Sequence, residues 1–336
     1  MRASMQVRIA SFFFGAGGKR TQDRVASMAE IREITSGLAF PEGPVAMRDG
    51  SVIVTEIQGG RITRVGADGS KDVVAEPGGG PNGAALGPDG KLYLANNGGS
   101  FRYMDMGGLN FPHQPPPESW NGGRIERIDI ESGEVDVIYE ECDGHQLRGP
   151  NDLVFDAHGG FWFTDHGVRL ERTSDRTGIY YAQPDGSDIR EVIFPMDAPN
   201  GIGLSPDGSR LYVAETFANT CWWWKVTGPG EVEQVPGVFP HGGTLLYSPG
   251  GLQGFDSLAV DGDGNVCLAT LVNGGISVVD GESGDLVEFV PTDDILCTNI
   301  CFGGEDLRTA YLTLSGTGRL VSTVWPRPGL ALAHSA

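Results

Sequence analysis

The chain has 336 residues, with 24 Lys and Arg against 44 Asp and Glu, so its formal net charge is −20. A field this negative repels polyanions and anionic lipid surfaces, which argues against nucleic acid and membrane as partners, and no stretch approaches the roughly 18 consecutive apolar residues of a spanning helix. With 39% hydrophobic residues and 52 glycines, about twice the usual glycine share of roughly 7%, the composition is that of a folded, turn-rich chain and not a disordered one.

At the N-terminus, Arg2 and Arg8 precede a short apolar run from Ile9 to Gly18, as in a signal peptide. Lys19, Arg20, Asp23 and Arg24 then occupy the place of a small-residue cleavage site. The expected location is therefore cytoplasmic, and residues 1–30 read as an N-terminal extension expected to be disordered, with Met28 an equally good natural start. Cys142, Cys221, Cys267, Cys297 and Cys301 form no C-x-x-C pair, which fits a reducing compartment and buried thiols, although Cys297 and Cys301 are close enough in sequence to pair.

Residues 31–326 carry an internal repeat. Six segments share one plan: Glu42-GPVAMR-Asp49-Gly50, Asn82-GAALGP-Asp89-Gly90, Asn151-DLVFDA-His158-Gly159, Asn200-GIGLSP-Asp207-Gly208, Asp256-SLAVDG-Asp263-Gly264 and Asn299-ICFGGE-Asp306-Leu307. Asp-Gly between alternating apolar runs signals a β-hairpin, with a type I′ turn expected because both of its central residues take positive φ. The runs that follow (SVIVTE, KLYLANN, GFWFTDH, SRLYVAET, NVCLATL, RTAYLTLS) are rich in β-branched and aromatic residues. Third strands follow, among them RITRVG, GRIERIDI, GIYYAQ, CWWWKV and GISVVD. The prediction is all-β: a six-bladed β-propeller with four antiparallel strands per blade, residues 31–36 closing the last blade, a C-terminal tail at 327–336, and a central metal site. Between the second and third repeats, residues 97–123 form an insertion rich in proline and glycine, too irregular for a strand. It reads either as a surface loop or as a lid over the channel.

Equivalent positions of a propeller lie equally far from its axis, so Glu42, Asn82, Asn151, Asn200, Asp256 and Asn299 should ring one mouth of the channel. Residues about one hairpin further on, Glu56, Asn96, Asp165 with His166, Glu215 and Thr270, should form a second tier. Asn and Asp often precede strands merely as turn caps. Six oxygen donors at six equivalent positions point further, to a bound divalent cation that compensates them, Ca²⁺ first, with Mg²⁺, Mn²⁺ or Zn²⁺ as substitutes. Of the six histidines only His166 is a candidate for chemistry, with a structural hydrogen bond as the alternative, and His334 lies in a tail expected to fray. Gly78, Gly80 and Gly83 match G-x-G-x-x-G but lead into a strand where a dinucleotide site needs a helix, and Trp222, Trp223 and Trp224 read as blade packing.

At these motifs the chain resembles the SMP-30/gluconolactonase/luciferin-regenerating-enzyme family of six-bladed propellers, which are mostly metal-dependent lactonases. The likeness rests on FPEGP at 40–44, RGPNDLVFDAHGGFWFTD at 148–165, APNGIGLSPDGSRLYVAET at 198–216, FDSLAVDGDGNVCLA at 255–269 and CTNICFGG at 297–304. It implies that Glu42, Asn200 and Asp256 bind the metal and that Asn151 is either a ligand or a substrate contact. It further implies that Asp256 is the general base or nucleophile, aided by His166. Asn82, Asn96, Asp165 and Asn299 fall on the substrate side, and Arg148 lies near, though out of register with, an arginine of the sugar lactonases. The implied activity is opening of a small-molecule lactone. The alternatives are a phosphotriester-type hydrolase on the same site, a non-hydrolytic propeller resembling strictosidine synthases, and a non-catalytic propeller with a structural Ca²⁺. Substrate choice should lie with loops 97–123, 166–177 and 239–252, where Pro115 to Pro117 and Trp120 suggest an apolar wall.

Overall fold

The computed structural model describes residues 30–237 and 239–334. The predicted extension, apart from Glu30, lies outside them. Among the described residues there is no helix, and the strands form six four-stranded antiparallel blades. Each predicted hairpin supplies the two inner strands of one blade. The first blade runs Pro41–Ala46, Val52–Glu56, Arg61–Val65 and Lys71–Ala75, and the third runs Pro150–Phe155, Phe161–Asp165, Thr177–Ala182 and Ile189–Met196. In the fourth blade an additional strand, Thr244–Tyr247, pairs with the long third strand Thr220–Gly228. The last blade is closed from the other end of the chain, where Arg32–Ser36 pairs antiparallel with Arg319–Val324, so one blade ties the two ends of the ring together.

The hairpin turns differ in type from the prediction. Gly50, Gly90, Gly159, Gly208 and Gly264 have positive φ, whereas the Asp or His before each does not. The amide of Gly50 bonds the Met47 carbonyl, and that of Met47 the Ser51 carbonyl, the pattern of a type I turn followed by a left-handed residue. Asp49 is favoured because its Oδ1 accepts from the amide and hydroxyl of Ser51. Leu307 adopts φ 55° where the sixth repeat lacks the glycine.

The cores lie between blades. Trp162 and Trp224 are buried in one cluster with Ile179, Ile202, Leu211 and Trp222, which bears out the packing role expected of that tryptophan run. The five cysteines are unpaired, and all but Cys301 are fully buried.

Two segments depart from expectation. The insertion contains a β-hairpin, Arg102–Asp105 with Asn110–His113. The tail, expected to fray, is latched along residues 327–334. Asp261 has a carboxylate with no solvent exposure, and Arg327 reaches it at 2.7 Å while also donating to Glu288 at 2.6 Å. Gly262 and Leu330 amides bond the Pro328 and Val260 carbonyls. The His334 ring then stands 5.3 Å from Phe155, and Leu330, Leu332 and Ala333 close one end of an axial cavity of about 130 Å³.

Candidate active site

The six predicted ring residues begin the innermost strands at the opposite end of the channel from that tail. Every one of these strands has a β-bulge there, at Glu42/Val45, Pro81/Ala84, Pro150/Leu153, Pro199/Ile202, Phe255/Leu258 and Cys297/Asn299. A bulge bends its strand and re-aims the side chain. Gly43, with φ 44°, makes the crowding possible, because a Cβ there would come within 2.3 Å of the Asn82 carbonyl. Hydroxyls link successive blades through ring-strand carbonyls: Thr55 donates to Asn82 at 2.7 Å, Thr164 to Asn200 at 2.6 Å, and Ser315 to Pro41.

Glu42, Asn82, Asn151, Asn200 and Asn299 are all buried, while Asp256 is partly open. Glu42 Oε2 accepts from the Gly43 amide at 2.8 Å and from Asn299 Nδ2 at 2.7 Å. Asn200 Nδ2 donates to Asp256 Oδ1 at 2.7 Å and to Thr216 at 3.0 Å. The ring thus gathers Glu42 with Asn299 and Asn200 with Asp256. Glu42 Oε1 and Asn151 Oδ1 are buried and accept no hydrogen bond, a costly state for a carboxylate and a carboxamide. Desolvation pushes both carboxyl groups above their ordinary range, Asp256 strongly, where the charges of Glu42 and Asp152 add to it.

The sequence reading passed over Asp152, which occupies the position after Asn151 and whose counterparts are Gly43, Gly83, Gly201, Ser257 and Ile300. Burial and the nearby Glu42 charge push its pKa up to about 7. An acid in a place held by small residues in four other repeats was the available signal. Among the described residues no three His, Cys, Asp or Glu side chains come together as a cation-binding group, because the repeat supplies carboxamides at most ring positions. The residues able to hold a hard cation are Glu42 and Asp256 with the amide oxygens of Asn151 and Asn200, and the two unpaired buried oxygens fit that donor set.

The second tier does a different job. Glu56, Asn96, Asp165 and Glu215 each receive amide protons from the segment leading into their own blade, whereas Thr270 donates to the Leu268 carbonyl at 3.0 Å. Glu56 accepts from Ala39 at 2.6 Å, Asn96 from Gly80 at 2.9 Å, and Glu215 from Asp197 at 2.9 Å. Asp165 accepts from Arg148, Gly149 and Gly167 at 2.7, 2.8 and 2.9 Å. Asn96 also donates to Gly78 and to buried Glu126 at 2.8 Å. The polar atoms of Asn96 and Asp165, predicted on the substrate side, are spent on backbone and blade packing. His166 is buried between Phe101 and Phe217, with ring centroids at 6.2 and 5.6 Å. Its Nδ1 lies 3.3 Å from the Gly167 carbonyl, no hydrogen bond joins it to Asp256, and burial lowers its pKa to about 4.

At the rim, Arg148 pairs with Asp175 at 2.9 Å and stacks over Trp120 at 4.4 Å. One face of Trp120 is therefore covered by the guanidinium. The insertion's hairpin leaves blade two and packs Tyr103 and Phe111 on Phe40, Ile57, Leu271, Ile295 and Leu296. Asn110 N bonds the Gly316 carbonyl at 2.7 Å, and Gln114 Oε1 accepts from the Arg169 amide at 2.7 Å. The insertion thus touches blades one, three, five and six, so it spans the mouth as a lid would.

Residues 40–316 match the SMP-30/Gluconolactonase/LRE-like region. The chain belongs to that family. It is 29% identical to the lactonase drp35 of Staphylococcus haemolyticus over 78% of this chain and 75% of the relative. It is 26% identical to the gluconolactonase of Zymomonas mobilis over 85% and 79%. Among solved structures, a gluconolactonase from Xanthomonas campestris superposes with a TM-score of 0.68 at 22% identity, covering 88% and 89% of the two chains. A calcium-binding regucalcin from Agrobacterium tumefaciens has a TM-score of 0.68 at 17% identity, covering 90% and 98%.

Proposed function

We propose that this protein is a divalent-cation-dependent hydrolase that opens a lactone. The reading is supported by family membership, by relatives named lactonase and gluconolactonase, and above all by one observation. In a ring built from oxygen donors, Glu42 Oε1 and Asn151 Oδ1 are buried without a hydrogen-bond donor. Glu42, Asn151, Asn200 and Asp256 are the residues that would hold the cation, and Ca²⁺ is the first choice because every donor is a hard oxygen. The bound ion would supply Lewis acidity at the substrate carbonyl and at the oxyanion that develops there.

The chain's own groups do the rest. Asp256 accepts the proton of the attacking water. The Asn200 amide 2.7 Å away fixes which of the Asp256 oxygens is offered. Asn299 and the Gly43 amide hold Glu42 by Oε2, leaving Oε1 facing the ring. The hairpin over the mouth excludes bulk water.

The test is lactone hydrolysis followed with a pH indicator, on chelated protein and after return of Ca²⁺, Mg²⁺, Mn²⁺ or Zn²⁺, beside Asp256→Ala. Activity should vanish on chelation, return with one ion, and fall at least about 100-fold in the variant, the scale of losing a catalytic base. Absence of turnover of any lactone with any ion rejects the reading.

A further inference from the structure

Beneath the ring, the axis of the propeller continues toward the tail as a cavity of about 130 Å³. Each of the six blades presents an aliphatic side chain to it: Val45, Leu86, Val154, Ile202, Leu258 and Ile300. The described residues that line it include none of Glu42, Asn151, Asn200 and Asp256, so the cavity is separate from the donor set assigned to the cation. Its polar groups at the ring end are already engaged. Asn299 Oδ1 accepts from the Ile300 amide at 2.7 Å while its Nδ2 donates to Glu42, and Asp152 Oδ1 accepts from the Leu153 amide at 2.9 Å. A water held between the aliphatic walls would find too few hydrogen-bond partners, whereas an engineered cavity of about 150 Å³ lined by Leu, Ile and Phe in another protein stays dry and takes benzene.

The tail that covers the far end adds a polar atom to these walls. His334 lines the cavity, its ring edge-to-face with Phe155, and its Nε2 is out of contact with solvent and has no hydrogen-bond partner. A phenylalanine would pack on Phe155 without leaving a buried polar atom unpaired. Leu332 is 53% exposed, so the cover is one chain thick, and lifting residues 331–334 opens the cavity without unfolding a blade. We propose that the axial cavity is a second ligand site, apart from the mouth, that takes a compact uncharged molecule with an apolar ring and one hydroxyl, the chemistry of phenol. The ring fills the space between the blades and the hydroxyl pairs with His334 Nε2. A hydroxyl both donates and accepts, so it serves either tautomer of the imidazole. Anions are disfavoured, because Asp152 lines the inner end and the described lining holds no Lys or Arg.

The experiment is calorimetric titration of the full chain with phenol and with toluene, which matches phenol in size and lacks the hydroxyl, in the wild type, Ala84→Leu, Ala259→Leu and His334→Phe. Thermal melts without ligand check that each variant folds, and two filling variants keep the test open should one of them not. The wild type should bind phenol at one saturable site and melt at a higher temperature with it. Ala84 and Ala259 both line the cavity, so leucine at either should weaken both ligands by at least about tenfold, as filling the space removes the room for a ring. His334→Phe should weaken phenol about three- to tenfold, the range for one hydrogen bond, and leave toluene within about twofold. Absence of saturable phenol binding to the wild type overturns the site. Phenol binding that neither filling variant weakens overturns it as well, since the molecule then binds elsewhere. Equal effects of His334→Phe on the two ligands overturn the assignment of the hydroxyl.

Discussion

His166 shows how a residue's neighbours decide its part. Adjacent to Asp165 in sequence, it reads as a candidate acid or base; in the fold it is clamped between Phe101 and Phe217 and kept neutral, its pKa lowered to about 4. A depressed histidine pKa means that the unfolded chain binds the proton more readily. The stability it contributes is thus complete above the unfolded value near 6.5 and is lost as pH falls through 4. Replacement by phenylalanine should therefore flatten the acid limb of a stability–pH curve between those values, removing up to about 3 kcal/mol of pH dependence. Urea melts at pH 4, 5, 6 and 7 measure this, and parallel curves for variant and wild type refute it. If His166 serves catalysis as well, the variant also loses turnover at pH 7.

Within a blade, the second strand ends in an acceptor that grips the incoming segment of chain. Glu56 is the fullest instance, since its buried carboxylate takes the Ala39 amide, Arg61 through both Nε and Nη2, and the Thr63 hydroxyl. Glu56→Ala leaves those donors unpaired and should cost about 3–5 kcal/mol, the range for breaking a buried ion pair on one side. It should show as a lower urea midpoint at unchanged slope. A shift below 1 kcal/mol means that water takes the carboxylate's place. Predicting this role was out of reach because Glu56 and Ala39 are 17 residues apart, and the repeat shows which residues are equivalent but not which amides they meet. The same limit hid the hairpin in 97–123. Its strands Arg102–Asp105 and Asn110–His113 are short and hold Pro112, and they are stabilised mainly by docking on other blades.

Over the whole molecule, two devices hold the ring: Arg32–Ser36 completes the last blade, and the tail is latched into the fifth. Arg327 is the centre of that latch, held between Asp261 and Glu288. Arg327→Ala strands a carboxylate with no solvent exposure, so it should lower stability by about 3–5 kcal/mol. It should also release residues 328–334, read as faster amide hydrogen exchange at Gly329 and Leu330. Unchanged protection there shows that Leu330 and Leu332 hold the tail by burial alone.

The sequence by itself determined the six blades, the closing strand and the six polar residues at the mouth, because a hairpin is a local object and symmetry carries each one to an equivalent radius. Asn151, Asn200 and Asp256 are legible for that reason. Tertiary structure alone decided which oxygens remain unpaired, that Asp152 is a third acid near Glu42, that Asn96 and Asp165 are spent on backbone groups and, for Asn96, on Glu126, and that Tyr103 packs on Phe40. These depend on bulges, desolvation and contacts between blades. Each of them is a property of space around a residue, which its position in a repeat does not encode.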